Sequence, residues 1–150
     1  MKNLLVVYES RTGNTEAMAK AVQEGALSAG ASVSLKKATE ATMDDFLSCD
    51  GVIFGSPNNF GYIAGTLKEF FDQVWINLSN KELSKPYTAF SIGLAGAKPT
   101  LQSIDHICEE FRQYSKLKLE KAHEGIAATR DPSPEVLEQC RELGKEMAQL

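Results

Sequence analysis

The sequence predicts an α/β domain: one doubly wound parallel sheet with helices on both faces. Three observations predict it. Apolar strand-like stretches alternate with stretches at helical spacing, five of each, along the 150 residues. Two of the strand candidates, Leu4–Tyr8 and Gly51–Gly55, are continuous apolar runs, the pattern of strands buried on both faces. Three segments that follow strands, 10–15, 56–62 and 93–98, are rich in small or polar residues, and in such sheets ligands bind at the carboxyl ends of the strands.

The elements follow in order. After Leu4–Tyr8, residues Met18, Ala21, Val22, Ala26 and Ala29 fall on one helical face, and Gly30 is a suitable stop. Gly25 costs helix propensity and is expected to allow close approach of that helix to the sheet. Ala31–Lys36 alternates, with Val33 and Leu35 on one side, which suits a strand near an edge. Thr42-Met43-Asp44-Asp45 forms a capping box ahead of a short helix that ends near Asp50-Gly51. Gly51–Gly55 is the next central strand, and it breaks into Ser56-Pro57-Asn58-Asn59-Phe60-Gly61-Tyr62. A helix carrying Leu67, Phe70, Phe71, Val74 and Leu78 follows. Asn80 to Pro86 reads as a turn and Tyr87 to Leu94 as a third central strand. Pro99 opens a helix with a Leu101, Ile104, Cys108 and Phe111 stripe. Leu117–Thr129, more charged, reads as one edge strand. Ser133 as N-cap and Pro134 at the first helical position start the last helix, with Val136, Leu137, Cys140, Leu143 and Met147 inward.

The composition fits a single domain with an ordinary core: 43% of the residues are apolar and the net charge is −4. No basic run is present to neutralise nucleic-acid phosphates. Cys49, Cys108 and Cys140 are widely spaced and odd in number, which fits neither a disulfide framework nor a structural zinc site. They read as small core or surface residues in a reducing compartment. No secretory signal pattern or membrane-length apolar run occurs, so the expectation is a soluble, cytoplasmic protein.

Several chemistries known for this fold class lack their residues. A dinucleotide fingerprint needs three glycines after the first strand, and only Gly13 is there. No Gly-Lys-Ser/Thr occurs, no aspartate ends the third strand, and no cysteine nucleophile lies near Arg11. His106 and His123 are isolated and read as surface residues. What remains is anion binding. Ser10, Thr12 and Thr15 offer hydroxyls, Asn14 an amide, and Gly13 a sharp turn that lets successive N–H groups converge at a helix N-terminus. Neutral donors alone would hold a phosphate monoester there.

Ser10-Arg11-Thr12-Gly13-Asn14-Thr15 after an apolar strand resembles the FMN phosphate loop of the flavodoxin-like family. Gly55-Ser56-Pro57, Phe60-Gly61 and Gly65-Thr66-Leu67-Lys68-Glu69-Phe70 are similar to the NAD(P)H:quinone oxidoreductases of the tryptophan-repressor-binding-protein type in the same superfamily. The resemblance implies a five-stranded sheet of order 2-1-3-4-5 and non-covalent FMN. It implies that Ser10, Arg11, Thr12, Gly13, Asn14 and Thr15 hold the phosphate. Pro57, Asn58, Asn59, Phe60 and Gly61 would border the ring, with Gly61 free to flip its peptide towards flavin N5 and so steady the half-reduced ring. Ser91, Gly93, Leu94, Ala95 and Gly96 would approach the ribityl chain and pyrimidine edge.

The implied function is electron transfer through the flavin, either with redox partner proteins or, as an alternative, as an NAD(P)H-dependent reductase of quinones or other small acceptors. Two departures bear on that choice. The 93–98 loop has no aromatic residue, which leaves one ring face open to a substrate, a partner or a second subunit, so monomer and homodimer are both expected possibilities. A charge of −4 is weak for an acidic carrier, while 150 residues leave no room for the insertions of the longer reductases. Trp75 reads as core or edge packing and Lys98 as a solvated lysine. Arg11 reads as a surface residue paired with Glu9 or Glu16, and Phe60 and Tyr62 as site residues rather than core.

Overall fold

The computed structural model describes all 150 residues. In chain order the elements are β1 (Asn3–Tyr8), α1 (Asn14–Ser28), β2 (Ser32–Lys37), α2 (Met43–Ser48), β3 (Gly51–Pro57), α3 (Gly65–Leu78), β4 (Ser84–Gly93), α4 (Lys98–Tyr114), β5 (Lys118–Lys121), β6 (Ile126–Thr129) and α5 (Pro134–Ala148). The strands form one parallel sheet in the order β2-β1-β3-β4-β5, with β6 also paired to β4. The central strands β1 and β3 are buried along almost their whole length, as their apolar runs require.

Each sheet face has its own core. One face packs Leu5, Val52 and Phe54 against α2, α3 and α4. Aromatic rings fill it: Phe54 lies 4.5 Å from Phe71, and Trp75, which is partly exposed, meets Phe111 edge-on at 5.1 Å. The other face packs Leu4, Val6, Ile53 and Phe90 against α1 and α5. Cys49, Cys108 and Cys140 are free and buried, so all three are core residues.

The two capped helix starts form as the sequence indicates. Thr42 and Asp45 exchange hydrogen bonds at the start of α2, and the Ser133 hydroxyl accepts the Val136 N–H at the start of α5. At the other end of α2, the buried Lys85 ammonium donates to the Cys49 carbonyl at 2.6 Å and the Leu47 carbonyl at 3.2 Å.

Five expectations change. The strand expected to end at Gly55 runs on through Ser56 and Pro57, which pair with Ser91 and Ile92 of β4, so the loop after it starts at Asn58. The edge strand over Leu117–Thr129 is two strands. Ala122–Gly125 places four residues opposite Thr88 and Ala89 of β4, so pairing breaks, and the Thr88 hydroxyl donates to the His123 carbonyl in the gap. The turn at Asn80–Pro86 is shorter, because β4 begins at Ser84. Pro86 lies where β4 has only β5 as a neighbour, a position at which proline is tolerated. Gly25 permits close approach of α1 to α5 rather than to the sheet. A Cβ on Gly25 would lie 1.8 Å from the Arg141 carbonyl oxygen, and one on Gly144 would lie 2.1 Å from that of Val22. His123 is not a plain surface residue: its Nδ1 contacts Glu146 at 3.0 Å and its Nε2 is buried. His106 does lie on the surface, beside Glu110. No helix is long and apolar enough to cross a membrane.

Candidate functional site

Because every strand is parallel, the connections that leave β1, β3, β4 and β6 gather at one edge of the sheet. Loop 1 is Glu9–Gly13, loop 2 is Asn58–Ala64, loop 3 is Leu94–Ala97 and loop 4 is Arg130–Ser133.

Loop 1 turns into α1 at Gly13, whose φ of +95° is readily adopted only by glycine. The Ser10 hydroxyl accepts the N–H groups of Gly13 and Glu16, each at 3.2 Å, which leaves its own proton to donate. The N–H groups of Arg11, Thr12, Asn14 and Thr15 meet no acceptor in the protein. Thr12 is exposed, while Thr15 is buried against the core at 2% exposure, and neither hydroxyl has a partner. Four free N–H groups and three hydroxyls at the start of one helix form a concentration of donors with no opposing acceptor. Asn14 differs from expectation. Its side-chain amide donates to the Arg130 carbonyl at 3.0 Å and approaches Asp131 at 3.5 Å, so it ties loop 1 to loop 4, while its backbone N–H stays free. Arg11 is exposed and pairs with neither Glu9 nor Glu16.

The flanks of loop 1 are fixed by residues the sequence reading passed over. Glu9 accepts the Ser10 N–H with one oxygen and the Thr66 hydroxyl of α3 with the other, so it holds loop 1 beside loop 2. The Tyr8 hydroxyl donates to Glu16 at 2.7 Å. Burial, and then that bond to a carboxylate, push the Tyr8 phenol up to about 12. Glu16 is held below the usual range, first by the Tyr8 hydroxyl and then by Lys20.

Loop 2 is a two-residue hairpin. Asn59 and Tyr62 exchange both backbone hydrogen bonds at 2.9 Å, and Phe60 and Gly61 between them have φ of +54° and +76°. For glycine that backbone is unstrained. A bulky aromatic rarely adopts it, and Phe60 also projects fully into solvent at 107% exposure. Phe60 and Tyr62 therefore are not core.

Loops 2 and 3 touch. A Cβ on Gly93 would lie 2.8 Å from the Asn58 Cβ, so only glycine lets them close. The buried Thr100 hydroxyl of α4 donates to the Asn58 side-chain oxygen at 2.6 Å, with the Tyr62 carbonyl at 3.3 Å. The Asn58 amide nitrogen has no partner of its own, and Asn58 lines a cavity of about 450 Å³ together with Gly96, Lys98 and Thr129. Loop 4 closes the ring of loops. The Arg130 N–H donates to the Gly93 carbonyl at 2.7 Å while its own carbonyl receives Asn14, at a φ of +68°.

The expected site residues thus gather at one edge, with a gradation in depth. Leu94 and Ala95 are exposed, and Pro57, Asn58, Asn59, Gly93 and Gly96 are half-buried. Ser91 is wholly buried beneath them, in register with Ser56, and its hydroxyl is unpartnered. Lys98 is solvated, as read. Thr100 and Arg130 were not singled out from the sequence, Glu9 was read only as a surface partner of Arg11, and Thr66 only as part of the 65–70 motif. Arg130 carried a signal, since Arg130-Asp131-Pro132-Ser133 is also a polar segment that follows a strand. No cluster of His, Cys, Asp and Glu is arranged to hold a metal ion.

The flavodoxin domain family matches residues 5–128. A flavodoxin of Aquifex aeolicus is 35% identical, over 99% of this chain and 86% of its own length. An NAD(P)H dehydrogenase (quinone) of Cupriavidus metallidurans is 30% identical over 69% of this chain, which spans 64% of that enzyme's length. Among solved structures, a flavodoxin from the domain Archaea superposes with a TM-score of 0.82 at 21% identity, over 98% of this chain and 96% of that one, a likeness of fold. With the match over most of its length and a full-length relative at 35% identity, the chain belongs to the flavodoxin domain family.

Proposed function

We propose that this protein binds FMN non-covalently and transfers electrons through it, as a carrier between redox proteins. A flavin goes with the family, and the donor set of loop 1 is what supports FMN in particular. That observation carries the reading: the free N–H groups of Arg11, Thr12, Asn14 and Thr15, with the Ser10, Thr12 and Thr15 hydroxyls, match a dianionic monoester. Bound FMN would supply the redox chemistry, taking up and releasing electrons singly or in pairs.

The chain's own contribution is positioning. Loop 1 would anchor the phosphate, and Glu9 and Asn14 hold that loop to α3 and loop 4. The backbone of Asn59 to Gly61 and of Gly93 to Gly96 would border the ring, with Pro57 and Asn58 below it. Thr100 holds the Asn58 side chain through its oxygen, which leaves the amide nitrogen without a protein partner.

A second reading, NAD(P)H-dependent reduction of a quinone or similar small acceptor, is favoured by one feature. Loop 3 carries no aromatic side chain to cover the second ring face. The two readings separate in one anaerobic experiment. A yellow holoprotein that NADPH leaves oxidised until a separate reductase is added supports the carrier. Rapid bleaching by NADPH alone supports the enzyme. A colourless protein that does not quench FMN fluorescence on titration contradicts both.

A further inference from the structure

The hairpin of loop 2 is not one that its own sequence favours. A two-residue turn with φ above zero at both centres, as at Phe60 and Gly61, prefers Asn-Gly or Gly-Gly, and a bulky aromatic at the first centre opposes it. Phe60 gains no burial in exchange, since its ring is fully exposed. Such a backbone persists only where the surrounding structure holds it.

Three hydrogen bonds hold the base of this hairpin. The Ser56 hydroxyl accepts the Ala64 N–H at 2.9 Å, which closes the loop on itself. The Asn58 N–H donates to the Ile92 carbonyl at 2.9 Å, which ties only the entering arm to β4. The Thr100 hydroxyl reaches both arms from outside. It is wholly buried in the first turn of α4, donates to the Asn58 side-chain oxygen at 2.6 Å, and has the Tyr62 carbonyl within reach at 3.3 Å. Thr100 also belongs to the helix that leaves loop 3, and its own N–H bonds back to the Ala97 carbonyl at 3.1 Å. Gly93, where β4 enters loop 3, presses on Asn58 from close by: a Cβ there would lie 2.8 Å from the Asn58 Cβ. Asn58 is thus held by residues at the two ends of loop 3.

We propose that Thr100 is a positioning residue that clasps the loop 2 hairpin and locks it to loop 3, so that the two loops keep one fixed separation. Towards a ligand the proposal rests on the FMN reading, in which the backbones of these loops border the ring. The clasp then sets how tightly the ring is held, while loop 1 sets the grip on the phosphate.

Amide hydrogen exchange, followed by NMR on the flavin-free ¹⁵N-labelled protein, tests the clasp. Thr100→Val keeps the shape of the side chain and removes its hydroxyl. The Asn59 and Tyr62 N–H groups, which close the hairpin, should then exchange roughly tenfold faster. The capped N–H groups of Asp45 and Val136, on other helices, should not change. Thr100→Ser, which keeps the hydroxyl, should restore slow exchange. Asn58→Ala cuts the same bond from the loop side, so it should speed exchange at the same two amides even if the α4 variants fail to fold. Unchanged exchange at Asn59 and Tyr62 in both Thr100→Val and Asn58→Ala, an equal rise at all four amides, or no restoration by serine would each overturn the proposal. In fluorescence titrations, Thr100→Val should weaken FMN and riboflavin by the same factor, roughly tenfold, because loop 1 is untouched. A loss confined to FMN would place the effect at loop 1 and contradict the role at the ring. Failure of the unaltered protein to bind either flavin would instead sink the FMN reading, and the exchange rates of the flavin-free protein would still decide whether Thr100 clasps loop 2.

Discussion

Two residues at the site act against ordinary preference, and each gives a prediction. Phe60 holds a left-handed backbone conformation that Asn or Gly adopts more easily, and its ring buries nothing. The strain is of order 1–3 kcal/mol, so Phe60→Asn is expected to stabilise the flavin-free fold by about 1 kcal/mol. The same change should weaken flavin binding. Urea melts and FMN titration of the one variant check both halves; a destabilised variant would mean that Phe60 packs in the folded state. Tyr8 is the second case. Burial and the Glu16 carboxylate raise its phenol from 10.0 to about 12, so the fold favours the neutral form. A raised value contributes stability that is full below pH 10 and lost as pH climbs towards about 12. Tyr8→Phe removes that contribution and should flatten the fall in stability across this alkaline window. An alkaline slope identical to that of the wild type in urea melts would contradict the assignment.

At the scale of elements, the close crossing of α1 and α5 is set by two glycines, Gly25 and Gly144. Gly25→Ala improves helix propensity by about 1 kcal/mol, yet the new Cβ would strike the Arg141 carbonyl, a backbone atom that cannot swing aside. Overpacking of this kind costs about 1–3 kcal/mol and outweighs the gain. Chemical denaturation should show a net loss; a net gain would mean that the helices separate freely. The crossing also marks where sequence reading stops. Helical spacing found both helices and their inward faces, and Ser133-Pro134 marked the start of α5 as Thr42-x-x-Asp45 marked that of α2, because these are local signals. The partner of Gly25 is a long-range fact, and the sequence offered the sheet as readily as α5. The break in the edge strand escaped for the same reason. Gly125 is the one local mark of a break in Ala122-His123-Glu124-Gly125; the gap itself arises because four residues span two on β4.

At the scale of the whole molecule, the parallel sheet does most of the functional work. It brings residues 10–15, 56–62, 93–98 and 130–133 to one edge although they are spread over most of the chain. The first three were legible as hydroxyl, amide and glycine segments after apolar strands. The roles of Glu9, Thr66, Thr100 and Arg130 were not, since each acts through a hydrogen bond to another loop or helix that spacing does not reveal. Asn14 shows the converse: its residue type suggested a ligand donor, and tertiary structure gives its side chain to loop 4.

The central claim is that loop 1 is a phosphate site, and the comparison of FMN with riboflavin tests it most directly, because the two differ only in that group. By isothermal titration, FMN should bind at least about a hundredfold more tightly than riboflavin, a difference of about 2.7 kcal/mol. Thr12→Val with Thr15→Val should remove most of that ratio while leaving riboflavin affinity unchanged. Equal affinity for the two flavins, or equal loss for both in the double variant, would contradict the account.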